Sequence, residues 1–155
     1  PYTGWTLPEA AVRIGIRGVF LNHSEHKFGN LDDLVKAVSR CREVDLKTLV
    51  FASDLEELKK VLELKPTYVA YEPPEFIGST TTSVATAQPE IIAKASVITK
   101  EAGIPLIVGA GINSKEDVKK SLEMGAVGVA VATDVVKAQD PKREILDLTQ
   151  GFTFQ

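Results

Sequence analysis

The sequence has few of the residues and patterns that would set it apart from ordinary globular proteins. Among 155 residues it has one cysteine and one tryptophan, and its formal net charge is −3. A single cysteine excludes an intramolecular disulfide framework, and a reducing, cytoplasmic setting is the simplest interpretation. The small net charge gives no indication of a nucleic-acid or membrane-surface partner. No apolar run reaches the roughly 18 residues that a membrane span needs.

The residues that are present fit one soluble domain with a core. Hydrophobic residues make up 44% of the chain and charged residues 25%, which are ordinary proportions for such a protein. The sequence contains no low-complexity segment and no internal boundary, so we predict a single domain over residues 1–155. The chain opens at Pro1 without a methionine, inside a loop-like stretch, which suggests a processed, trimmed or partial protein.

Short apolar runs alternate with longer amphipathic stretches along the chain. Five of the runs are predicted strands, at residues 18–22, 47–52, 67–72, 104–109 and 127–132. Their apolar residues are nearly continuous rather than alternating, which is typical of parallel strands covered on both faces. Strand–helix alternation at this spacing predicts right-handed βαβ units. A barrel and an open doubly wound sheet both fit this pattern.

Capping residues indicate where several helices begin. Asn30 precedes apolar residues at helical spacing, and Asp54 and Ser114 precede two further amphipathic stretches. Glu57 stands at the capping-box position of the second of these helices. Cys41 falls on the apolar face of the first, so we predict an inert core thiol.

The remaining segments are predicted from their prolines and polar residues. Residues 73–88 are polar and rich in threonine, and we predict a loop there. Pro89 suits the first turn of a helix that ends near Gly103. A single last helix is predicted over most of residues 135–149.

Candidate chemical groups follow the ends of the predicted strands, where parallel α/β folds carry their active residues. His23 follows the first strand, and Glu72 ends the third. The glutamate could remove a proton next to a carbonyl group, which the histidine could polarise. Small-residue turns at 109–111 and around Thr133 could bind a phosphate through free backbone N–H groups.

Each of these signals also has a purely structural interpretation. A histidine at a strand end is more often a structural residue, and a glutamate before two prolines is about as often a salt-bridge partner. Gly109-Ala110-Gly111 is usually tight strand–helix packing, and it is not a full dinucleotide fingerprint. The order and spacing of the signals indicate a function better than any one of them does.

That order resembles triosephosphate isomerase, and most closely its short archaeal form. The run Leu21-Asn22-His23-Ser24-Glu25 matches the family's fourth-strand motif, and the run from Tyr71 to Gly78 matches its sixth strand and the hinge of its mobile loop. Further matches are the return of that loop at 83–90, the seventh strand at 108–112 and the segment after the eighth at 135–141. The resemblance implies an α/β fold, a partial TIM barrel of about five parallel strands with helices. These strands correspond to the fourth to eighth of the family, and its N-terminal strands are missing.

The resemblance also implies an enzyme without metal or cofactor that interconverts dihydroxyacetone phosphate and glyceraldehyde 3-phosphate through an enediol. Glu72 is then the base and neutral His23 polarises the carbonyl, while the loop from Pro73 onward closes over the phosphate; this enzyme is itself a standard illustration of the last two points. Glu25 is expected to be a structural carboxylate with Lys27 nearby. The implied substrate- and phosphate-binding residues are Asn22, Gly78, Gly109, Gly111, Ala132 and Thr133.

The sequence departs from the family pattern where the phosphate should bind. The family's first strand, with its Asn-x-Lys, is absent, and losing one preorganised stabilising group typically costs about 10²–10³ in rate. Gly78 is followed by serine and threonines where the family has Gly-Thr-Gly. Asp134, which we expect to be an N-cap, sets a carboxylate where the phosphate should lie. These changes predict that phosphate binding is relaxed or lost.

The expected partners follow from the partial barrel. About five tilted strands cannot close a barrel, and they leave two unprotected apolar edges at 18–22 and 127–132. We therefore expect a homo-oligomer or a complementing N-terminal fragment, with a triose phosphate as substrate and with no nucleic acid and no membrane as partners. Thr3 is expected in the loop that, in the family, reaches into a partner subunit.

Two functions remain in competition, with a third less favoured. The first is an isomerase, impaired in this chain, and the retained His23 and Glu72 favour it. The second is a catalytically inactive partial barrel that self-assembles into oligomers and binds at most a small anion, and the absent lysine and Asp134 favour it. A different phosphate-binding βα protein is the third, but the two strand-end motifs argue against it.

Overall fold

A computed structural model describes residues 6–79 and 82–152. Among them, five parallel strands form one sheet in the order β1-β2-β3-β4-β5. The strands are Gly18–Leu21 (β1), Lys47–Ala52 (β2), Tyr68–Tyr71 (β3), Leu106–Val108 (β4) and Gly128–Val129 (β5). Consecutive strands are neighbours throughout, without the reversal of order that defines a doubly wound sheet. The predicted α/β fold is confirmed, and the strand order favours the barrel. Thr3 lies outside the described residues.

Helices follow the strands as predicted, and three of the predicted N-caps are confirmed. Asn30, Asp54 and Ser114 each accept a hydrogen bond from the backbone N–H three residues later. The helices are Pro8–Arg13 (α1), Leu31–Glu43 (α2), Leu55–Glu63 (α3), Val84–Ala87 (α4), Pro89–Glu101 (α5), Lys115–Glu123 (α6), Thr133–Lys137 (α7) and Pro141–Thr149 (α8). Two 3-10 turns span Ser24–His26 and Pro74–Phe76. None of the described helices is long and apolar enough to span a bilayer.

The core lies between one face of the sheet and the helices. Val50, Val69 and Val108 from three neighbouring strands are completely buried there. Alternate strand residues point to the other face, so the same strands also present side chains away from the helices. Cys41 is buried in a smaller cluster beside Ala11, as predicted, and burial raises the pKa of its thiol. A protonated, buried thiol is a poor nucleophile.

The opposite face of the sheet is partly open. Phe20 on β1 is 69% exposed, although its ring packs edge-on against Phe51 with ring centroids 5.4 Å apart. Among the described residues, β1 pairs only with β2 and β5 only with β4. The sheet therefore has two edges and an apolar face with incomplete cover.

Several element boundaries differ from the sequence-based prediction. The segment predicted as a loop, 73–88, contains a 3-10 turn and α4, which Ser83 caps. The predicted last helix is divided into α7 and α8, because a proline disfavours helical conformation in the residue before it. Asp140, before Pro141, accordingly has φ −132° and ψ 88°.

The two final strands are shorter than predicted. The fourth spans three residues and the fifth two. Pro105 has no N–H to donate to a strand ladder, which removes the start of the predicted fourth strand. In the part of the chain described, β5 pairs on one side only. It therefore lacks a second neighbouring strand whose hydrogen bonds could lengthen it.

Candidate active site

His23 and Glu72 come together at the carboxyl ends of β1 and β3. His23 Nε2 lies 3.2 Å from Glu72 Oε2. The strand between them, β2, supplies Phe51, whose ring packs edge-on against the imidazole with centroids 4.7 Å apart. The structure thus brings the two predicted catalytic side chains into contact across one intervening strand.

A backbone hydrogen bond favours one tautomer of His23. The Glu25 N–H donates to Nδ1 over 3.3 Å, so Nδ1 carries no proton in this arrangement. In a neutral imidazole the proton then resides on Nε2, the nitrogen that faces Glu72. His23 therefore presents an N–H donor on the side of the candidate base.

Glu72 has the environment of a strengthened base. Its side chain is only 11% exposed, and burial raises the pKa of the carboxyl group, with His23 opposing the shift and Glu25 adding to it. A carboxylate with a raised pKa accepts a proton more readily than one in water. The Glu72 N–H donates to the Ala52 carbonyl over 2.8 Å, which holds this residue in the line of the sheet.

Gly109 makes room for Glu72. A Cβ atom at position 109 would lie 3.0 Å from Glu72 Oε1, so a side chain there would press on the carboxylate. The Gly109 N–H donates to the Tyr71 carbonyl over 2.9 Å. The expectation that this N–H is free for a phosphate is therefore wrong.

Asn22 is occupied by protein partners. It has a positive φ of 60°, and its side-chain amide donates to the Phe51 carbonyl over 3.0 Å and to Glu57 over 2.9 Å. Its side-chain oxygen accepts from the Phe28 N–H over 3.2 Å. These contacts fix the turn that leads into His23, while the prediction that Asn22 binds substrate remains a prediction.

Glu57 is a second, half-buried acid, and the capping-box prediction did not anticipate its contacts with distant residues. Its carboxylate accepts from Lys27 Nζ over 2.8 Å and from the Ser53 N–H over 2.7 Å. Burial alone would raise the pKa of Glu57, but the hydrogen bonds from Lys27, Ser53 and Asn22 outweigh it and lower this pKa to about 2. Lys27 thus pairs with Glu57 and not with Glu25, which is 89% exposed.

The capping box predicted for α3 forms only in half. Asp54 accepts from the Glu57 N–H over 2.8 Å, as expected. The Glu57 carboxylate, however, reaches the N–H of Ser53 rather than that of the cap itself. The capping-box pattern identifies this acidic residue at the third helical position. It does not predict which distant residues, here Asn22 and Lys27, donate hydrogen bonds to it.

Glycines shape the turns on the predicted phosphate side. Gly111 has φ +72°, and a Cβ there would meet backbone atoms of Phe76, Thr82 and Ser83, with the Phe76 carbonyl oxygen 3.2 Å away. Gly78 also has a positive φ, of 73°. Both positions require backbone conformations that glycine adopts readily. The structure therefore sets Gly111 against both ends of the segment that joins Phe76 to Ser83.

The turn after β5 carries Ala132 and Thr133. It runs beside the turn after β4, because the Ala130 N–H donates to the Val108 carbonyl over 2.9 Å. Ala132 is the N-cap of α7 and makes no side-chain capping bond. Asp134 is therefore not the predicted N-cap, since it lies inside the first turn of the helix.

Asp134 interacts with α8. Its hydrogen bond and negative charge raise the pKa of Glu144, so the two carboxyl groups lie close together. The Asp134 Oδ2 atom is buried and has no hydrogen-bond partner. The carboxylate expected beside the phosphate therefore lies in the turn after β5, and its partner Glu144 lies on a neighbouring helix.

One cleft of the molecule lies away from the candidate catalytic pair. A cleft of about 350 Å³ opens between α2 and α3, and Lys27, Ser53, Glu57 and Lys60 are among the residues that line it. His23 and Glu72 are not among the residues that line it. In residues 6–79 and 82–152, no three His, Cys, Asp or Glu side chains form a group that could hold a metal ion.

Comparison with known sequences gives consistent matches. The family model described as triosephosphate isomerase matches residues 1–151. The triosephosphate isomerase of Thermoplasma volcanium is 41% identical over 148 residues, which cover 96% of this chain and 68% of the relative. That of Methanopyrus kandleri is 42% identical over 151 residues, covering 96% of this chain and 66% of the relative. The chain thus spans about two thirds of the length of these curated relatives.

Comparison with solved structures supports the fold. A chain of the Amycolatopsis orientalis BexX/CysO complex has a TM-score of 0.65 at 22% identity, covering 97% of this chain and 63% of that one. Thiamine phosphate pyrophosphorylase from Pyrococcus furiosus has a TM-score of 0.64 at 21% identity, covering 92% of this chain and 62% of that one. At such identities the likeness shows the fold alone, and it agrees with a partial α/β barrel.

Proposed function

Because this chain belongs to the triosephosphate isomerase family, we propose that it carries the proton-transfer part of that family's active site. The proposed reaction interconverts dihydroxyacetone phosphate and glyceraldehyde 3-phosphate through an enediol, with no metal and no cofactor. The observation that carries the proposal is the contact of 3.2 Å between His23 Nε2 and Glu72 Oε2. Both groups lie at the carboxyl ends of strands, where this type of fold places its chemistry.

The proposed roles follow from the state of each group. The Glu72 carboxylate removes a proton from the carbon next to the substrate carbonyl and returns it to the neighbouring carbon. Its burial favours this step, because a raised pKa strengthens the base. The His23 Nε2–H donates a hydrogen bond to the carbonyl oxygen and then to the enediol oxygens. The Nδ1 acceptor bond from Glu25 keeps that proton on the correct nitrogen.

The proposed phosphate site is formed by the turns after β4 and β5. Gly111, Ala132 and Thr133 lie on these adjacent turns, and Gly78 lies in the segment facing them. Gly109 contributes space for Glu72 rather than an N–H group. We expect weak phosphate affinity, because Asp134 adds a negative charge beside these residues and like charges repel.

The competing proposal is a catalytically inactive partial barrel that self-assembles. Its support is the open face of the sheet, where Phe20 is 69% exposed, and the single-sided pairing of β1 and β5 among the described residues. Exposed apolar surface and unpaired strand edges favour association with another chain. The occupant is a second copy of this chain or a fragment that supplies further strands.

A coupled isomerase assay on the purified chain tests the catalytic proposal. We expect activity above background that falls by at least about 10²-fold in Glu72→Gln and also falls in His23→Ala, since each variant removes a group that moves or stabilises charge. Glu63→Gln, an exposed acid-to-amide change on α3, is the matched control and should leave the activity unchanged. Background activity that neither variant alters would favour the inactive barrel.

Sedimentation velocity at micromolar concentration tests the assembly proposal independently of activity. We expect a species larger than the 16.8 kDa chain. Phe20→Lys should shift the distribution toward the monomer, because it places a charge on the apolar face. A wild-type chain that remains a stable, soluble monomer at this concentration would rule out association.

A further inference from the structure

One segment of the candidate site is joined by several contacts to the turn after β4. Ser83 and the following helix α4, here called the α4 limb, lie against the turn after β4, residues 109–114. The Val84 N–H donates to the Ala110 carbonyl over 3.3 Å. The missing side chain of Gly111 allows the backbone of Ser83 to approach closely. The limb and the turn therefore occupy a fixed place relative to one another.

A buried carboxylate completes this junction. Asp117, the third residue of α6, is only 5% exposed. On the limb side its Oδ1 accepts from the hydroxyl of Thr86 over 2.7 Å and also from the hydroxyl of Ser83. On the turn side its Oδ2 accepts from the Ser114 hydroxyl over 2.8 Å and the Asn113 N–H over 3.2 Å. One carboxylate on α6 thus connects the limb with the turn, and Asp117 and Thr86 are separated by 31 positions in the chain.

The donors to Asp117 are all neutral, which distinguishes it from a buried ion pair. Burial alone would raise the pKa of Asp117, but the hydrogen bonds from Ser83, Thr86 and Ser114 outweigh it and lower the pKa below its usual value. The carboxylate is therefore ionised near neutral pH, and each hydroxyl is held in the orientation that donates to it. Hydrogen bonds to a charged acceptor are shorter and stronger than neutral ones.

We propose that Asp117 is a positioning residue that holds the α4 limb against the turn 109–114, and through it orders the residues proposed to receive the substrate phosphate. The first part of this statement stands on the contacts of Ser83, Thr86 and Ser114 alone. The second part rests on the proposed function, because it assumes that Gly111 contributes to phosphate binding.

Two kinds of variant separate the limb side of the junction from the α6 side. Thr86→Val removes one limb-side donor and leaves the Ser114 cap of α6 in place. Thr86→Ser restores a hydroxyl at the same position and is the conservative rescue. Asp117→Asn removes the charge and puts donors where an acceptor is required. Glu116→Gln is the matched control, because it makes the same acid-to-amide change at the neighbouring, exposed position of α6.

Amide hydrogen exchange of the whole chain measures directly whether Asp117 holds the α4 limb in place, a contact here called the tether. The reporters are the N–H groups of Val84, which donates to Ala110, and of Thr86, which donates to the Ser83 hydroxyl over 3.1 Å. We expect their exchange to accelerate by about 10-fold or more in Asp117→Asn and Thr86→Val, because loss of the tether favours local opening. The Glu72 N–H in the sheet should keep its rate, and Thr86→Ser and Glu116→Gln should resemble the wild type.

The outcomes decide between a positioning role and a general stabilising one. Unchanged limb exchange in both Asp117→Asn and Thr86→Val would overturn the proposal, as would equal acceleration of the limb and of Glu72. If Asp117→Asn does not fold, the pair Thr86→Val and Thr86→Ser still gives the answer. Where the wild type is active, Asp117→Asn should raise KM more than it lowers kcat, and the reverse would overturn the second part. Where the wild type is inactive, the proposed function fails, and limb exchange alone still decides the tether.

Discussion

Asp117 and Asp134 stand at equivalent places in the fold and have opposite surroundings. Each lies in the first turn of the helix that follows a late strand, α6 after β4 and α7 after β5. The Asp117 carboxylate accepts hydrogen bonds from three hydroxyls and one N–H. Asp134 has a buried Oδ2 atom without a partner and a second acid, Glu144, beside it. Both carboxylate oxygens of the aspartate after β4 are therefore hydrogen-bonded, whereas one buried oxygen of the aspartate after β5 is not.

The largest expected effect is a difference in the free energy of unfolding between variants of the two aspartates. Asp117→Ala leaves several buried donors without an acceptor, and it should lower the free energy of unfolding by about 3 kcal/mol, since hydrogen bonds to charged groups are worth about 1.5–3 kcal/mol each and are not additive. Asp134→Ala removes an acceptor that has an unsatisfied atom and a like-charged neighbour. It should change stability little or increase it. Urea unfolding followed by circular dichroism measures both.

A control on α6 isolates the carboxylate from the helix. Glu116→Ala changes the helical residue next to Asp117 without touching the junction, and it should stay within about 0.5 kcal/mol of the wild type. If Asp117→Ala is as mild as Glu116→Ala, the buried hydrogen bonds do not stabilise the fold. If Asp134→Ala is as damaging as Asp117→Ala, the contrast between the two turns is wrong.

The sequence was sufficient to identify the catalytic candidates and the fold class. Nearly continuous apolar runs predicted the parallel strands. His23 and Glu72 were predicted because active groups lie past strand ends in such folds, and the family resemblance supported the same two residues. The structure places both residues together at 3.2 Å. Their pairing could be expected from sequence because each belongs to a local motif whose position along the chain determines its place in the barrel.

The supporting acids could not be predicted in the same way. Glu57 and Asp117 both occupy the third helical position after a capping residue. In both cases the carboxylate reaches past the cap to the N–H of the residue before it, Ser53 and Asn113. Local pattern identifies such an acid as half of a capping box. Its other partners come from more than 25 positions away, as with the 35 positions between Asn22 and Glu57, and periodicity carries no information about them.

The next largest expected effect is the loss of stability in acid that the Glu57 network causes. Glu57 has a pKa of about 2 against an ordinary value of 4.5. A carboxyl group with a depressed folded-state pKa contributes stability that is complete above the unfolded value and is lost as pH falls through the folded one. Stability should therefore fall between about pH 4.5 and pH 2. After a discount for the partly exposed side chain, the loss from Glu57 is about 1–3 kcal/mol.

Removing the carboxylate tests that assignment. Thermal unfolding of Glu57→Gln across the same pH range should show a shallower acid loss than the wild type, because the variant has no proton to bind at this position. Glu63→Gln, on the exposed face of the same helix, should retain the wild-type slope. Equal slopes in all three proteins would assign the acid loss to other carboxylates, of which Asp117 is the first candidate because its pKa is also lowered.

The smallest expected effect has the opposite pH dependence and concerns the turn after β5. The hydrogen bond and charge of Asp134 raise the pKa of Glu144, so the folded chain retains this proton at a pH where the unfolded chain has lost it. Stability from this pair is therefore present below the ordinary glutamate pKa and decreases as pH rises through the raised one. Asp134→Asn should lower the pKa of Glu144 and weaken that decrease. A carboxyl ¹³C titration of Glu144 measures the shift, and an unchanged titration would show that the two acids do not interact.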